Sequence, residues 1–332
     1  WYHLAFFVIS AAMFGMTAGA VWVYFKGAGL TRETLSHDLS ASSAYMAISS
    51  AICLAIQSTL NPLLVASLSG ITLYLILTLL IAIPFFYSGV GVSLALTRSP
   101  YPISVVYAVD MLGAATGCLG VLALLELMDG PSAILLSAAG CAVAAVLFRD
   151  FDASQPAMGN SFSRFAVRRA PWIALVIALA GAANSVTTRG LQPMFVKGNK
   201  ENPSDFSYCK WNSFSRIAAG RSIMLGGENK DNFRAMRLWG PSPKLASIAV
   251  PPIESLPVVI DGAAGTNMYR FDGDLSKVEF LKYDVANLAY FIRNQGRSAV
   301  IGVGAGRDVL SAWLYGFRDV TGVEINPIFI QL

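Results

Sequence analysis

The fold of the soluble part is decided by two stretches near the end of the chain: Ser298-Ala299-Val300-Ile301-Gly302-Val303-Gly304-Ala305-Gly306-Arg307-Asp308-Val309-Leu310-Ser311-Ala312 and Thr321-Gly322-Val323-Glu324-Ile325-Asn326-Pro327. The apolar run 298–302 predicts a buried strand, and the glycines after it predict a loop. A helix is expected to follow to about Tyr315, and a second strand over 320–323 ends in Glu324. This order predicts a βαβ unit whose glycines lie at the carboxyl end of a strand, where open α/β sheets bind ligands.

The glycine loop predicts a nucleoside-type ligand. Gly302, Gly304 and Gly306 permit a tight turn and let a ligand approach the backbone, while the start of the next helix offers free N–H groups. Glu324 follows Gly306 by 18 positions. This is close to the spacing at which an acidic residue on the second strand accepts both ribose hydroxyls.

Two cofactor classes compete for this loop. The dinucleotide fingerprint needs a third glycine after two intervening residues, but position 307 is Arg, so the pattern is GxGxG. We expect that spacing to suit S-adenosylmethionine or its decarboxylated form, with a dinucleotide as the alternative. Asp308 either meets the amino-acid end of the cofactor or caps the helix. Arg307 is either a second such contact or a solvated loop residue.

Composition divides the chain into two halves. Apolar residues make up 55% of the 332 residues, and only 13% are charged, whereas soluble domains average about 25% charged residues. The first 190 residues hold 15 charges, and the remaining 142 hold 29. This excludes a wholly soluble enzyme and a disordered or fibrous chain. The net charge of +4 is too small to predict nucleic-acid binding.

The first half predicts a multispan helical membrane domain over residues 1–187. A spanning helix needs about 20 apolar residues, and six runs meet or approach that length, the last of them marginal: 4–25, 44–66, 70–97, 102–128, 131–148 and 171–187. Lys and Arg are concentrated in alternate loops, which the positive-inside rule places in the cytoplasm. If run 171–187 spans, that rule puts the soluble half outside. The cofactor chemistry needs it inside, and we expect a cytoplasmic domain on a multi-pass inner-membrane protein.

Several membrane residues are candidates for special roles. Small residues at GxxxG spacing, Gly15 with Gly19 and Gly113 with Gly117, predict close helix packing. Asp110 is an ionisable group at membrane depth, so it is either a ligand, proton or ion site or a structural polar clamp. The prolines of Asn61-Pro62 and at Pro84 can kink a helix. Asp110 and the prolines support one alternative function, a membrane transporter with a nucleotide-sensing soluble domain.

The soluble half begins with a β-rich segment over 188–283, and the α/β segment follows over 284–332. Strands are expected at 215–220, 256–261 and 277–283, and a helix at 284–295. Asp284 is a candidate N-cap for that helix, and Leu288, Phe291 and Ile292 share its apolar face. With two histidines, four cysteines and no CxxC pattern, we expect no metal site.

The stretch 300–326 resembles the spermidine synthase-like (polyamine aminopropyltransferase) family, and more narrowly its members fused to multispan membrane helices. Further similar stretches are Lys210-Trp211-Asn212-Ser213-Phe214-Ser215-Arg216-Ile217, Ile260-Asp261-Gly262 and the membrane segment 107–117. The resemblance implies a small β-domain that leads into a Rossmann-like domain. It also implies that Gly302, Gly304, Gly306 and Glu324 bind the nucleoside, with Glu324 on the ribose.

The resemblance further implies aminopropyl transfer from decarboxylated S-adenosylmethionine to a small amine such as putrescine, with methyl transfer from S-adenosylmethionine as the alternative. The expected partners are that amine and the lipid bilayer, with a homodimer as a possible assembly. Phe214-Ser215 and Gly265 depart from the Tyr-Gln pair and the Gln of classical members. The Asp that activates the amine in the family falls past Leu332, so we name no catalytic base and expect this chain to be an inactive fragment.

Overall fold

The structure is a computed structural model that describes residues 2–27, 30–61, 67–149, 161–187, 190–227 and 235–332. It divides into two compact units, Trp1–Glu201 and Asn202–Leu332. Each unit has a hydrophobic core of its own. The boundaries drawn from the sequence at 187 and 283 mark changes in composition and stay predictions.

The first unit is a bundle of helices, and the described residues contain six helices long and apolar enough to cross a bilayer. This confirms the predicted number of apolar helices. Their bounds are α1 Tyr2–Lys26, α2 Leu35–Gln57, α3 Leu68–Arg98, α4 Ile103–Leu127, α5 Gly130–Leu147 and α6 Ser161–Ser185. The unit ends in a hairpin of two short strands, β1 Phe195–Val196 and β2 Asn199–Lys200.

Two helices begin earlier than the apolar runs predict. α2 starts at Leu35 rather than 44, because its polar first turns bond to other helices: the Ser40 hydroxyl donates to the Ala145 carbonyl oxygen over 2.6 Å. α6 starts at 161 rather than 171 and continues through Pro171. Its added turns pack Ala166 against a cluster of small side chains from α2 and α5. Pro62 and the predicted end of the second span, 62–66, lie outside the described residues.

The first GxxxG pair brings α1 and α3 into backbone contact. A Cβ atom at Gly19 would overlap the carbonyl oxygen of Phe86, and a Cβ atom at Gly15 would overlap that of Ala82. Gly89 on α3 meets the Met16 backbone of α1 in the same way. The two helices pack this closely because neither presents a side chain at the crossing.

The second GxxxG pair has no such role within the unit. A Cβ atom at Gly113 or Gly117 would meet nothing within 4 Å, and none of the residues described in α4 is buried. Asp110, on the same helix, is partly exposed. It forms no hydrogen bond or ion pair with another described residue, including Tyr107, so its role as a site or clamp stays a prediction.

The second unit is built on an antiparallel sheet centred on β6. The strands are β3 Phe206–Trp211, β4 Arg216–Gly220, β5 Ile223–Leu225, β6 Ile253–Ile260 and β7 Ala264–Tyr269. β4 and β5 share one edge of β6, and β7 pairs with the other edge. Asp261 and Gly262 both have positive φ, 48° and 70°, as the tight turn between β6 and β7 requires.

The structure differs from two predictions for the next stretch. Residues 277–283 form no strand but lie in a 3-10 helix, Leu275–Tyr283, in which Val278 and Leu281 are buried three residues apart. The helix predicted over 284–295 is a 3-10 turn, Val285–Asn287, followed by the short α7 Leu288–Ile292. Its predicted apolar face is not buried, because Leu288, Phe291 and Ile292 are all exposed.

The last part of the unit contains a strand, a helix and a second strand within about two residues of the predicted bounds: β8 Arg297–Ile301, α8 Arg307–Leu314 and β9 Asp319–Val323. β8 and β9 are parallel, with Ile301 opposite Val323. A final short helix, α9 Ile328–Gln331, packs its buried Ile328 and Phe329 on Ile217 and Val258 of the antiparallel sheet.

The α1–α3 crossing makes a testable prediction. We expect Gly19→Leu to destabilise the chain by about 1–3 kcal/mol or more, because the added side chain must separate two backbones in contact. Gly117→Leu is the matched control, since that position faces open space. Thermal unfolding of the detergent-solubilised chain measures both. Equal effects at the two glycines would contradict the packing described above.

Candidate functional site

The glycine loop joins β8 to α8, and its backbone conformation requires glycine. Gly302, Gly304 and Gly306 have φ values of 77°, 53° and 84°, which are strained for residues that carry a side chain. A Cβ atom at any of the three would meet nothing within 4 Å. The glycines are therefore required by the turn and not by crowding, and the space beside the loop is open to a ligand.

Glu324 lies beside this loop because β8 and β9 are parallel and end at the same edge. One carboxylate oxygen accepts the Gly304 N–H over 2.7 Å, and the other accepts the Asn326 N–H over 2.8 Å. The Gly302 N–H also donates to the Val323 carbonyl oxygen over 2.8 Å. The carboxylate is thus fixed in orientation, and each of its oxygens keeps a lone pair for a further donor.

The start of α8 excludes a solvated Arg307 and a helix-capping Asp308, whereas their contact with a cofactor stays a prediction. Gly306 occupies the N-cap position, and no side chain caps the helix. The Arg307 side chain is only 8% exposed, so the prediction of a solvated residue is wrong. Its guanidinium donates to the Arg237 carbonyl oxygen over 3.2 Å and to the Asp308 carboxylate over 3.1 Å. Asp308 therefore bonds to Arg307 instead of capping the helix, and it keeps a side-chain exposure of 43%.

A network of amide side chains connects the antiparallel sheet to this edge. Asn212 donates to the Asn326 side-chain oxygen over 2.7 Å, and Asn326 donates to the Ser215 hydroxyl over 2.9 Å. Asn212 also accepts the N–H of Phe214 and that of Ser215. Both asparagines are buried. This network fixes Asn326, whose backbone N–H donates to the Glu324 carboxylate.

Sequence reasoning missed this network. Both of its segments, 210–217 and 321–327, stand out in the sequence, but a motif taken along the chain does not show which other motif it contacts. Two asparagines, each in a turn that follows a strand, were the available signal. Pairing them requires the register of β4 on β6 and the docking of α9.

A buried polar cluster lies behind the start of α8. Asp284 is 3% exposed, and its carboxylate accepts the N–H groups of Trp239 and Gly240 over 3.0 and 3.1 Å. It also accepts the Ala286 N–H over 3.2 Å, as the predicted N-cap role requires. Tyr269 donates to a backbone carbonyl, and burial raises the pKa of its hydroxyl although Arg307 acts in the opposite direction.

An aromatic cluster packs on the other end of α8. Tyr290 stacks on Tyr315 with ring centroids 5.2 Å apart and also contacts Phe317. Burial raises the pKa of Tyr315 to about 12, so this phenol stays neutral at physiological pH. The cluster holds α8 at the end opposite the glycine loop, and it does not place a base near that loop.

The structure thus brings together Gly302, Gly304, Gly306 and Glu324 at one edge, with Asp308 one turn away. Asp110 lies in the other unit and makes no bond there to another described residue. Among the described residues, no group of three or more His, Cys, Asp or Glu side chains is placed to hold a metal ion.

Comparisons with models of protein families, with curated proteins and with solved structures found no match.

The Glu324 contacts make a prediction for stability. We expect Glu324→Gln to lower the free energy of unfolding by about 1–3 kcal/mol, because the amide NH₂ replaces one acceptor that faces a backbone donor. Glu279→Gln is the matched control, because Glu279 forms only an exposed ion pair with Lys282. Thermal unfolding of the purified chain measures the difference. A shift at Glu279 as large as that at Glu324 would show that the carboxylate does not hold the loop.

Proposed function

We propose that this chain belongs to a membrane-anchored transferase that uses an S-adenosyl donor, and that the activity of that enzyme is aminopropyl transfer from decarboxylated S-adenosylmethionine to a small amine such as putrescine. The observation that carries the proposal is the Glu324 carboxylate hydrogen-bonded to Gly304 beside three left-handed glycines. We further propose that β8, α8 and β9 belong to a Rossmann-like domain.

The residues at this edge fit the nucleoside part of such a donor. The Glu324 oxygens keep lone pairs that can accept the two ribose hydroxyls, and the open space beside Gly302–Gly306 leaves room for the adenosine. The missing third glycine of the dinucleotide pattern disfavours a pyrophosphate, since Arg307 at that place is buried and committed to the Arg237 carbonyl. Asp308 is partly exposed and bonds to Arg307 through one carboxylate oxygen, so its second oxygen is suited to the cationic amine of the donor.

The donor supplies a sulfonium that activates the adjacent carbon for attack. In aminopropyl transfer, the acceptor nitrogen forms a bond to the propyl carbon, the carbon–sulfur bond breaks, and its electron pair returns to sulfur as methylthioadenosine is released. The proton lost by the nitrogen needs a base. Positioning of donor and amine is the main contribution required of the protein.

Product analysis tests the proposal directly. The full-length protein is incubated with putrescine and either decarboxylated S-adenosylmethionine or S-adenosylmethionine, and products are identified by mass spectrometry. We expect spermidine and methylthioadenosine, and a loss of at least about tenfold in Glu324→Ala, which removes a charged hydrogen-bond acceptor. Glu279→Ala is the control and should keep full activity.

The other outcomes are equally decisive. S-adenosylhomocysteine in place of methylthioadenosine would replace aminopropyl transfer with methyl transfer on the same site. If neither product forms and Glu324→Ala leaves nucleoside binding unchanged, the transferase proposal is overturned. The function would then have to lie in the helices.

The proposal also requires that the second unit lie on the cytoplasmic side of the membrane. S-adenosyl donors are cytosolic metabolites, so we propose that residues 202–332 face the cytoplasm. Charge favours the other side: Lys26 and Arg98 are the last residues of α1 and α3, and Arg149 follows α5. The positive-inside rule places these three ends in the cytoplasm, and six spans then put the chain after α6 on the opposite side. We propose that the need for a cytosolic donor decides the orientation, which labelling of a cysteine measures.

Cys209 is the natural probe, because it is exposed on β3 of the second unit. We expect a membrane-impermeant maleimide to label Cys209 only after cells are permeabilised. Cys209→Ser is the control that separates this signal from Cys118, which is also exposed. Labelling of Cys209 in intact cells would place residues 202–332 outside, as the charge distribution predicts. That result would contradict the use of a cytosolic donor.

A further inference from the structure

A cavity of about 480 Å³ lies within the helical unit, among the end of α1, the start of α2, the second half of α3 and the start of α6. Its floor is buried and apolar, with Val90 and Leu94 on α3. Its volume is in the range of small-molecule sites, about 300–1,000 Å³. Neither the glycine loop nor the proposed transfer reaction involves it.

Two opposite charges line this cavity without pairing. Asp38 is partly buried on the first turns of α2, and Lys26 is exposed on the last turn of α1. Asp38 has a hydrogen bond with the Thr34 side chain, and the neighbouring His37 bonds to Ser163 over 3.3 Å. Within the described ranges neither Asp38 nor Lys26 forms an ion pair. A half-buried carboxylate beside apolar groups has lost part of its hydration, so a cationic partner stabilises it more than it would stabilise a fully solvated carboxylate.

Aromatic rings form a continuous wall of the same cavity. Trp22, Phe86, Tyr87 and Tyr45 all line it. Their ring centroids are 6.2 Å apart for Trp22 and Phe86, 5.4 Å for Phe86 and Tyr87, and 5.2 Å for Tyr87 and Tyr45. Aromatic faces attract ammonium groups and also accept an apolar body. The wall therefore suits an organic ammonium more than a hydrated inorganic cation.

We propose that this cavity binds a zwitterionic organic ligand, with its ammonium group at Asp38 against the aromatic wall and its anionic group at Lys26. A second cationic charge in the ligand is disfavoured, because Lys26 would repel it. The chemistry fits a soluble amino-acid-type molecule, and it equally fits the headgroup of phosphatidylethanolamine, which carries an ammonium and a phosphate.

The test uses the whole chain in nanodiscs of phosphatidylglycerol, which contains no ammonium. The soluble probe is radiolabelled L-phenylalanine, measured by equilibrium dialysis, and the lipid probe is dioctanoyl phosphatidylethanolamine, measured by native mass spectrometry. We expect at least one probe to bind saturably. Asp38→Asn and Lys26→Gln should each weaken that binding by about tenfold or more, because each removes a charged hydrogen bond.

Two controls separate the site from general effects on the bundle. Glu33→Gln removes an exposed acidic side chain that lies before α2 and does not line the cavity, and Phe85→Leu changes the aromatic neighbour of Phe86 that does not line it either. Both should leave binding unchanged. Competition on the unaltered chain needs no variant: phenethylamine and 3-phenylpropionate, each with one charge only, should compete at least about tenfold less well than L-phenylalanine.

The outcomes are distinct. Binding of L-phenylalanine identifies a soluble ligand class, and binding of the short-chain lipid alone identifies a headgroup site. Binding of neither probe would overturn the proposal. Binding by Asp38→Asn and Lys26→Gln that is as tight as binding by the unaltered chain would also overturn it. Competition by phenethylamine as strong as that of L-phenylalanine would do the same, because it would indicate a site for cations alone.

Discussion

The parallel pairing of β8 with β9 is the constraint on which the candidate site depends. With Ile301 opposite Val323, the chain leaves both strands at one edge, and Gly304 and Glu324 come within hydrogen-bond distance although they are 20 positions apart. A shift of one residue in this register would move Glu324 away from the loop. The same alignment sets Asn326, whose N–H donates to Glu324, at this edge, and the docking of α9 on the antiparallel sheet completes its network with Asn212.

The helical unit depends on a different constraint, which is the satisfaction of every backbone polar group without water. Helices meet that demand internally, and the chain then gains stability by bringing backbones together where side chains are small. α1 and α3 do this at Gly19 and Gly89, and α2, α5 and α6 do it through alanines. α4 takes little part in this packing, and none of its described residues is buried.

Much of the architecture could be predicted from the sequence, because strong periodic signals act locally. The six apolar runs and the order strand, glycine loop, helix and strand depend on neighbours along the chain. The start of α2 could not be predicted, since Ser36, His37 and Asp38 are typical of a polar loop. Only the fold supplies the Phe148 carbonyl that accepts from Ser36 and the Ser163 hydroxyl that bonds to His37. Residues 277–283 alternate like a strand, but Val278 and Leu281 pack at the spacing of a 3-10 helix. The burial of Arg307 could not be predicted either, because a residue after a glycine loop is usually solvated. Only the fold places the Arg237 carbonyl oxygen where the buried guanidinium can donate to it.

The proposed function depends above all on nucleoside binding at the edge formed by Gly302–Gly306 and Glu324. Hydrogen–deuterium exchange of the whole chain, with and without methylthioadenosine, tests this most directly because it reports which backbone amides the ligand protects. We expect slower exchange over residues 302–308 and 324–326, with little change in β3–β7. Protection elsewhere, or none at ligand concentrations well above physiological levels, would contradict nucleoside binding at this edge.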